Sequence, residues 1–480
     1  MKRSFFRKVG FGIGPYEDIP DDPLQWAKSQ LQDVPELSWP HQIPTGEALL
    51  TKYAHFVYQD RKVLRETHRR DRRAYEAAKD RLRVEVGEKF HENLELAIRH
   101  HAALHSNAPV FERLWWFWCN HFAITDKDFM PEFTTGPYHR ETIRQHMTGS
   151  FHDLLREATL GWSMIHNLDN SESVGPNSKR GKWRRKNGKV ATVNENHARE
   201  LLELHSVSPA SGYSQKDVLA LSYIMAGWEH KWTKKRLECN AVHFEQESHE
   251  PGNHKVLGKA YKQRGISPKT KLLDVLEDLA SHPATIDHIS YKLCRHFICD
   301  SPTDEMMAPI KQAWRDTGGD LPAIHSALMD VVWEYAGREQ KFQNPEVWLV
   351  QMVHMSGAKW IEPEYFNEFD FSAEPHSLIR QMQKYLKELG HNPYRPDQPN
   401  GFPDSKADWL SPELLIRRFT FANRFSQGIH QPDVFDVGDM IAKNFDNPEE
   451  MHDLIKDVKS TKSQNKHMQI IFPSLGMLHA

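Results

Sequence analysis

"RKVLRETHRRDRRAYEAAKDRLRVEVGEKF", residues 61 to 90, carries a single glycine and no proline. Arg, Glu, Lys, Ala and Leu dominate it, and these side chains lose little rotamer freedom on a helix. Acids and bases alternate at i,i+4 spacing, so the stretch reads as a long, largely solvated helix running from Thr51 to about Ala103. The interleaved acids argue against a nucleic-acid stripe. Moving outward, apolar residues recur at helical spacing over 108–122, 138–168, 194–206, 214–230, 270–280, 283–298, 305–317, 321–336, 345–356, 375–389 and 411–426. Alternating strand patterns are scarce, with short candidates near 239–247 and 468–472. The expected fold is therefore mainly α: a large multi-helix protein with few or very short strands.

Two irregular stretches interrupt this pattern. "NSESVGPNSKRGKWRRKNGKVATV" (170–193) has no acidic residue after Glu172 and reads as a flexible basic loop. "GHNPYRPDQPNGFPDSKADWL" (390–410) is a Pro- and Asn-rich connection that ends at the helix start Ser411-Pro412. At 480 residues the chain can bury one very large core or two to three ordinary ones. The reading is one helical unit over 1–480, with room for two lobes: 1–230, holding the charged helix and the central polar helices, and 231–480. No repeat of 20–50 residues is evident.

Hydrophobic residues make up 39% of the chain, charged residues 26%, and the formal net charge is −3. Any polyanion or membrane-surface role would thus need a local patch. The N-terminus "MKRSFFRKVGFGIG" is basic but has no signal-peptide apolar run, and no stretch reaches the roughly 20 apolar residues of a span. The four cysteines (Cys119, Cys239, Cys294, Cys299) form no C-x-x-C pair. They suit a reducing compartment and disfavour a cysteine zinc site. The expected location is cytoplasmic.

The densest chemistry lies in "VNENHARELLELHS" (193–206). At about 100° per residue, Glu195, Asn196, Arg199, Glu200 and Glu203 share one face, while His205 falls among the leucines opposite. Asn194 can cap the helix, and Glu195 to Arg199 to Glu203 forms an i,i+4 ladder, so an ordinary ion-paired helix accounts for much of it. If the basic loop covered that face, however, the carboxylates would form an enclosed cluster. The following helix opens at Ser214, with Asp217 as a capping-box acid.

Four other segments hold candidates. Asn120 and His121 end the aromatic helix "ERLWWFWCNHF", where a buried Asn-His pair must find partners. "HFEQESHEPGNHK" offers His243, Glu245, His249, Glu250 and His254 around a Pro-Gly turn, without the H-E-x-x-H spacing of a zincin. His249 is the preferred ligand there. "HPATIDHISYKLCRHF" places His282 as a cap and Lys292 where it could bind an anionic group. Arg417, in "LLIRRF", is a similar case. The stretch "GFGIG" lacks the context and third glycine of a dinucleotide fingerprint, and neither G-x-x-x-x-G-K-[ST] nor G-x-S-x-G occurs.

"NENHARELLELHS…GYSQKDVLALSYIMAGW" resembles the central signature of the bacterial family called domain of unknown function 1800. "FRKVGFG", "WFWCNHF", "IRQHMTGSFHDLL…LDNSESVGPNS", "HEPGNHKVLGK", "HPATIDHISYKLCRHF" and "PNGFPDSKADWLSPELLIRRFTFANR" resemble further family blocks in the same order. The likeness runs from about Phe6 to Arg424. It departs at His254, followed by Lys255, where the family block puts a basic residue two places after the Gly. The resemblance implies a mainly helical protein of a bacterial family without an established reaction, many of whose members are exported; the opening residues of this chain lead us to expect no export signal here.

Two functions are expected from different classes. The first is a metal-assisted hydrolase or transferase holding a divalent ion (Mg, Mn or Fe) through Glu200, Glu203 and His249, with His121, Glu195, Asn196 and Arg199 as catalytic groups. Asn120, Asn194, Arg184, Arg185 and Lys292 would contact an anionic ligand. The second is a non-catalytic binding or assembly protein whose basic segment 179–189 holds a polyanion or a partner protein.

Overall fold

The computed structural model describes residues 2–127, 130–230, 242–262, 269–360, 362–366, 377–428, 435–456 and 464–480. Among them the fold is mainly α: twenty-five α-helices, with four strands forming two small antiparallel hairpins. One hairpin pairs Trp228–Glu229 with His243–Phe244; the other pairs His254–Val256 with Lys259–Tyr261. Of the strand candidate near 239–247, residues 239–241 and Cys239 lie outside the described residues. The candidate at 468–472 falls instead on a helix, Gln464–Ile471. Cys119, Cys294 and Cys299 are free and buried.

The stretch around 61–90 is helical but divided. Gly46–His55, a π-turn at Phe56–Asp60 and Arg61–Thr67 run on, then the chain breaks before Arg72–Glu85 and again before Glu88–His105. Asp71 causes the first restart, because its Oδ1 accepts the Ala74 N–H at 2.9 Å and caps the next helix. Gly87 makes the second, in the left-handed region at φ 81°. The solvated reading suits Arg61–Thr67, which buries nothing. It fails for Glu88–His105, where His91, Glu92, Asn93, Glu95, Arg99 and His100 are all buried. Their charges are met by distant partners: Arg395 on Glu92, Arg140 on Glu95 and Glu346 on Arg99.

The expected 138–168 helix is also divided, into Tyr138–Ile143 (π), Arg144–His146 (3-10), Phe151–Leu160 and Trp162–Asn167. Ser150 caps the third piece, and Gly161 lets the chain turn beside the Tyr138 ring. Residues 170–193 are not a flexible loop throughout: Lys179–Lys186 is a helix capped by Ser178. Gly181 permits it, since a Cβ there would lie 2.2 Å from the Gly175 carbonyl oxygen. The helix expected to reach 230 stops at Met225, and Trp228–Glu229 becomes a strand. Gly227, at φ 102°, makes that switch; a Cβ would meet the Glu245 carbonyl oxygen at 2.7 Å.

The buried apolar cluster extends from Phe5 to Leu478 and takes side chains from both sides of residue 230. Trp115, Trp118, Trp314 and Trp348 are its largest fully buried members. The basic N-terminus belongs to it: Ser4–Val9 is a fully buried helix. Arg7 donates to the Gly476 and His479 carbonyls, and Lys8 to those of Ile298 and Glu339. Burial pushes the Lys8 ammonium down to about 7. No helix among the described residues is long and apolar enough to cross a membrane.

Candidate functional site

The helix at the densest stretch spans Asn196–Glu203, capped as the sequence suggests: Asn194 Oδ1 accepts the Asn196 N–H at 2.9 Å. The first rung of the ladder is present, Arg199 to Glu195 at 3.1 Å. Arg199 also donates to Gln215 Oε1 (2.8 Å), and Gln215 donates back to Glu195, locking this helix to Gln215–Met225. The latter opens with the expected Ser214/Asp217 capping box. Glu203 accepts from the Tyr213 hydroxyl at 2.9 Å instead of from Arg199. Burial and this carboxylate together raise the Tyr213 phenol to about 12. Half-burial, and then the neighbouring Glu203, push the Glu200 carboxyl above its ordinary value. Asn196 is exposed. The basic segment does not close over this face: Lys179 pairs with Glu247 and Arg180 with Glu229. Arg184 and Arg185, on the Lys179–Lys186 helix, are half-buried and exposed respectively.

The other side of the Asn196–Glu203 helix meets the buried interior. His121 packs against His205 at 5.8 Å between ring centroids, on the apolar side away from the carboxylates. Lys292 Nζ donates to His121 Nδ1 at 2.9 Å, which leaves the ring proton on Nε2. Burial lowers the Lys292 ammonium to about 8, although Asp404 favours its charge. His121 itself is held well below its ordinary value, by burial first and then by Lys292. Asn120 is spent on the backbone: its Nδ2 donates to the Phe402 carbonyl (3.0 Å) and its Oδ1 accepts the Phe402 N–H (2.8 Å). His282 caps as expected, accepting from the Ala284 N–H. Arg417 ties Glu413 to the Glu388 carbonyl.

The proposed trio of Glu200, Glu203 and His249 does not converge. His249 is buried, with Nδ1 bonded to the Ala226 carbonyl at 2.9 Å and its ring against Phe244. Burial lowers it to about 4. Glu250 is likewise committed, to Asn177 N and Nδ2. Among the described residues, one set of three His, Cys, Asp or Glu side chains brings its ligand atoms within 4.8 Å of one another: Glu229, His243 and Glu245. The hairpin makes this set, because Glu229 faces His243 directly across the strand pair and Glu245 follows two residues later. Glu229 is 4% exposed. Arg180 NH1 lies 3.2 Å from its Oε2 and 3.1 Å from Ser248 Oγ. Sequence reading named His243 and Glu245 but had no means of joining Glu229 to them; only the strand register does so.

A second charged assembly escaped sequence reading. Glu346, buried, accepts from Arg99 Nε at 2.9 Å and pairs with His100 Nε2 at 3.1 Å, with His391 at 3.8 Å. Burial opposes the charge of Glu346, but Arg99 and the two imidazoles outweigh it and hold the carboxyl far below its ordinary value. Alongside, His296 donates from Nδ1 to Asp404 (2.8 Å) and accepts from Arg113 (3.0 Å). Except for His100, these groups line a cavity of about 20 Å³, room for a single water.

Buried ion pairs inside an almost wholly helical core, with a carboxylate–imidazole cluster on a small hairpin, mark this as a large helical protein with a charged interior. The sequence model of the family described as "Protein of unknown function (DUF1800)" matches residues 4–474, and the chain belongs to that family. No curated protein and no solved structure matches it.

Proposed function

We propose that the protein is a metal-assisted hydrolase or transferase whose divalent ion is held by Glu229, His243 and Glu245. The convergence of those three side chains carries this reading. An octahedral shell with ligands at about 2.1 Å spaces adjacent donors about 3.0 Å apart, so the cluster, whose ligand atoms lie within 4.8 Å of one another, would contract on loading. Two carboxylates and one imidazole suit Mn or Fe better than Mg, which favours oxygen alone. Three protein donors leave positions for water and substrate, and a bound divalent ion lowers the pKa of water enough to supply hydroxide near neutrality. Arg180, shared between Glu229 and Ser248, stands where it can turn toward an anionic oxygen of the substrate.

The same hairpin also borders a cleft of about 550 Å³, lined by Trp228, Val242, Tyr138, Glu141, Glu157 and Trp162, a size that takes a small molecule. Strand alternation turns Trp228 toward the cleft and Glu229 away from it. Elemental analysis of untagged protein incubated with Mn and desalted tests the proposal. Near-stoichiometric metal is expected in the wild type and in Glu203→Gln, and a loss of at least about tenfold in affinity in His243→Ala and in Glu245→Gln. Equal retention in all four proteins, or none in the wild type, sinks it.

A further inference from the structure

The Lys179–Lys186 helix is anchored at one end only. Its first turn is tied down: Ser178 Oγ accepts the Gly181 N–H, the Arg180 N–H reaches the Glu247 carbonyl, and Lys179 and Arg180 pair with Glu247 and Glu229. Beyond Gly181 the ion pairs stop. Among the described residues no carboxylate pairs with Lys182, Arg184, Arg185, Lys186 or Lys189, and no acidic residue lies between Glu172 and Glu195. Four of these five cations are exposed, and Arg184 is half-buried. Set among them are two apolar side chains in water: Trp183, 57% exposed, and Val190, 77% exposed. On a chain of net charge −3 this is a local basic patch with an apolar tip.

We propose that this helix docks on the surface of an anionic lipid bilayer. The cations supply attraction to the headgroups, and the indole and the valine enter the interfacial layer, where tryptophan is favoured. Neither feature alone requires a membrane. A free phosphate would have no use for the exposed apolar pair. A single-stranded nucleic acid would stack on the indole face, one side of which the Lys189 ammonium takes, 5.6 Å from the Trp183 centroid, and it would leave the exposed Val190 without a role. The anchoring geometry also fits: the hairpin side of the helix is fixed to the body, so the free side is presented outward without the rest of the fold rearranging. The docking is peripheral, in keeping with the absence of a membrane-spanning helix among the described residues.

Co-sedimentation of the intact protein with phosphatidylserine/phosphatidylcholine vesicles tests this, with pure phosphatidylcholine vesicles and a 20-mer oligonucleotide, single- and double-stranded, alongside. Binding to the anionic vesicles is expected at 0.1 M salt and its loss at 0.5 M. Each cation near such a surface contributes about fivefold in partitioning, so Arg184→Glu/Arg185→Glu, which moves the charge by four, should lower it more than about 100-fold. Trp183→Ala should weaken binding while leaving its salt dependence unchanged. Both variants alter exposed or half-exposed side chains, and an unchanged circular dichroism melt certifies their fold. Equal binding to neutral vesicles, full binding by the double variant, or tighter binding to either oligonucleotide than to anionic vesicles overturns the proposal. Metal content of the double variant should equal that of the wild type, so this test stands apart from the metal site.

Discussion

Acidification from pH 7.5 to about 5 is expected to unfold the protein cooperatively. Burial holds His197, His205 and His325 down to about 3, and His249 and His288 to about 4. In the unfolded chain each returns to about 6.5. The folded pKa values are depressed, so below pH 6.5 the unfolded state takes up protons that the native state refuses, and stability falls as pH falls. The stability is fully present above about 6.5 and is lost through the window down to about 3 to 4. Each such imidazole costs roughly 1.4 kcal/mol per pH unit inside that window. The three held at about 3 therefore cost roughly 4 kcal/mol per unit together, against a typical net stability of about 5–15 kcal/mol. Among the described residues His197 and His205 have no hydrogen-bond partner on either ring nitrogen, so no protein group there favours their charged form. Urea titrations at pH 7.5, 6.5 and 5.5 should show a falling unfolding free energy, and His197→Leu should remove about one proton from its slope. An unfolding free energy that stays constant from pH 7.5 to 5.5 would refute the argument.

Some of this architecture was legible because it is local. The Ser214/Asp217 box, the Asn194 cap, the His282 cap and the Glu195–Arg199 rung all depend on residues within four positions of each other, and all are found. The helices between 283 and 356 likewise begin at Pro or cap residues near their expected starts. The failures share a different cause. Glu88–His105 looks solvated in sequence because its charges pair at i,i+4 on paper, whereas in the fold they pair with Arg140, Glu346 and Arg395, up to 303 residues away. The basic segment reads as a loop because it interrupts the apolar helical period and carries no acid after Glu172; the close packing of Gly181 on Gly175 is a tertiary contact that its local sequence does not show. The Glu200, Glu203 and His249 set follows from residue type alone, and no sequence spacing reveals that Glu229 sits opposite His243 in a hairpin.

Glu346→Ala is expected to destabilise the protein by about 3–5 kcal/mol, because it strands a charge. Arg99 and Glu346 are both buried, so the carboxylate is what permits the guanidinium to remain charged in the interior. Without it, Arg99 keeps its contact with the Trp116 ring, 4.3 Å from the centroid, which falls short of a carboxylate as compensation. His100 would lose its acceptor while still accepting from Trp360 Nε1, and His391 would lose the nearby negative charge. Replacing both partners by apolar groups has a different outcome: Arg99→Met/Glu346→Leu removes two desolvated charges at once and should recover most of the loss. Urea unfolding of the two single variants and the double variant gives the coupling directly. If Glu346→Ala costs under about 1 kcal/mol, the pair is not an isolated buried charge couple and water must reach it. If the double variant is as unstable as the sum of the singles, the network holds the 391–404 connection through its geometry more than through charge balance. The Arg99 and Glu346 side chains both line the 20 Å³ cavity beneath Pro393, Phe402 and Asp404, so that outcome should be accompanied by faster proteolysis of the connection.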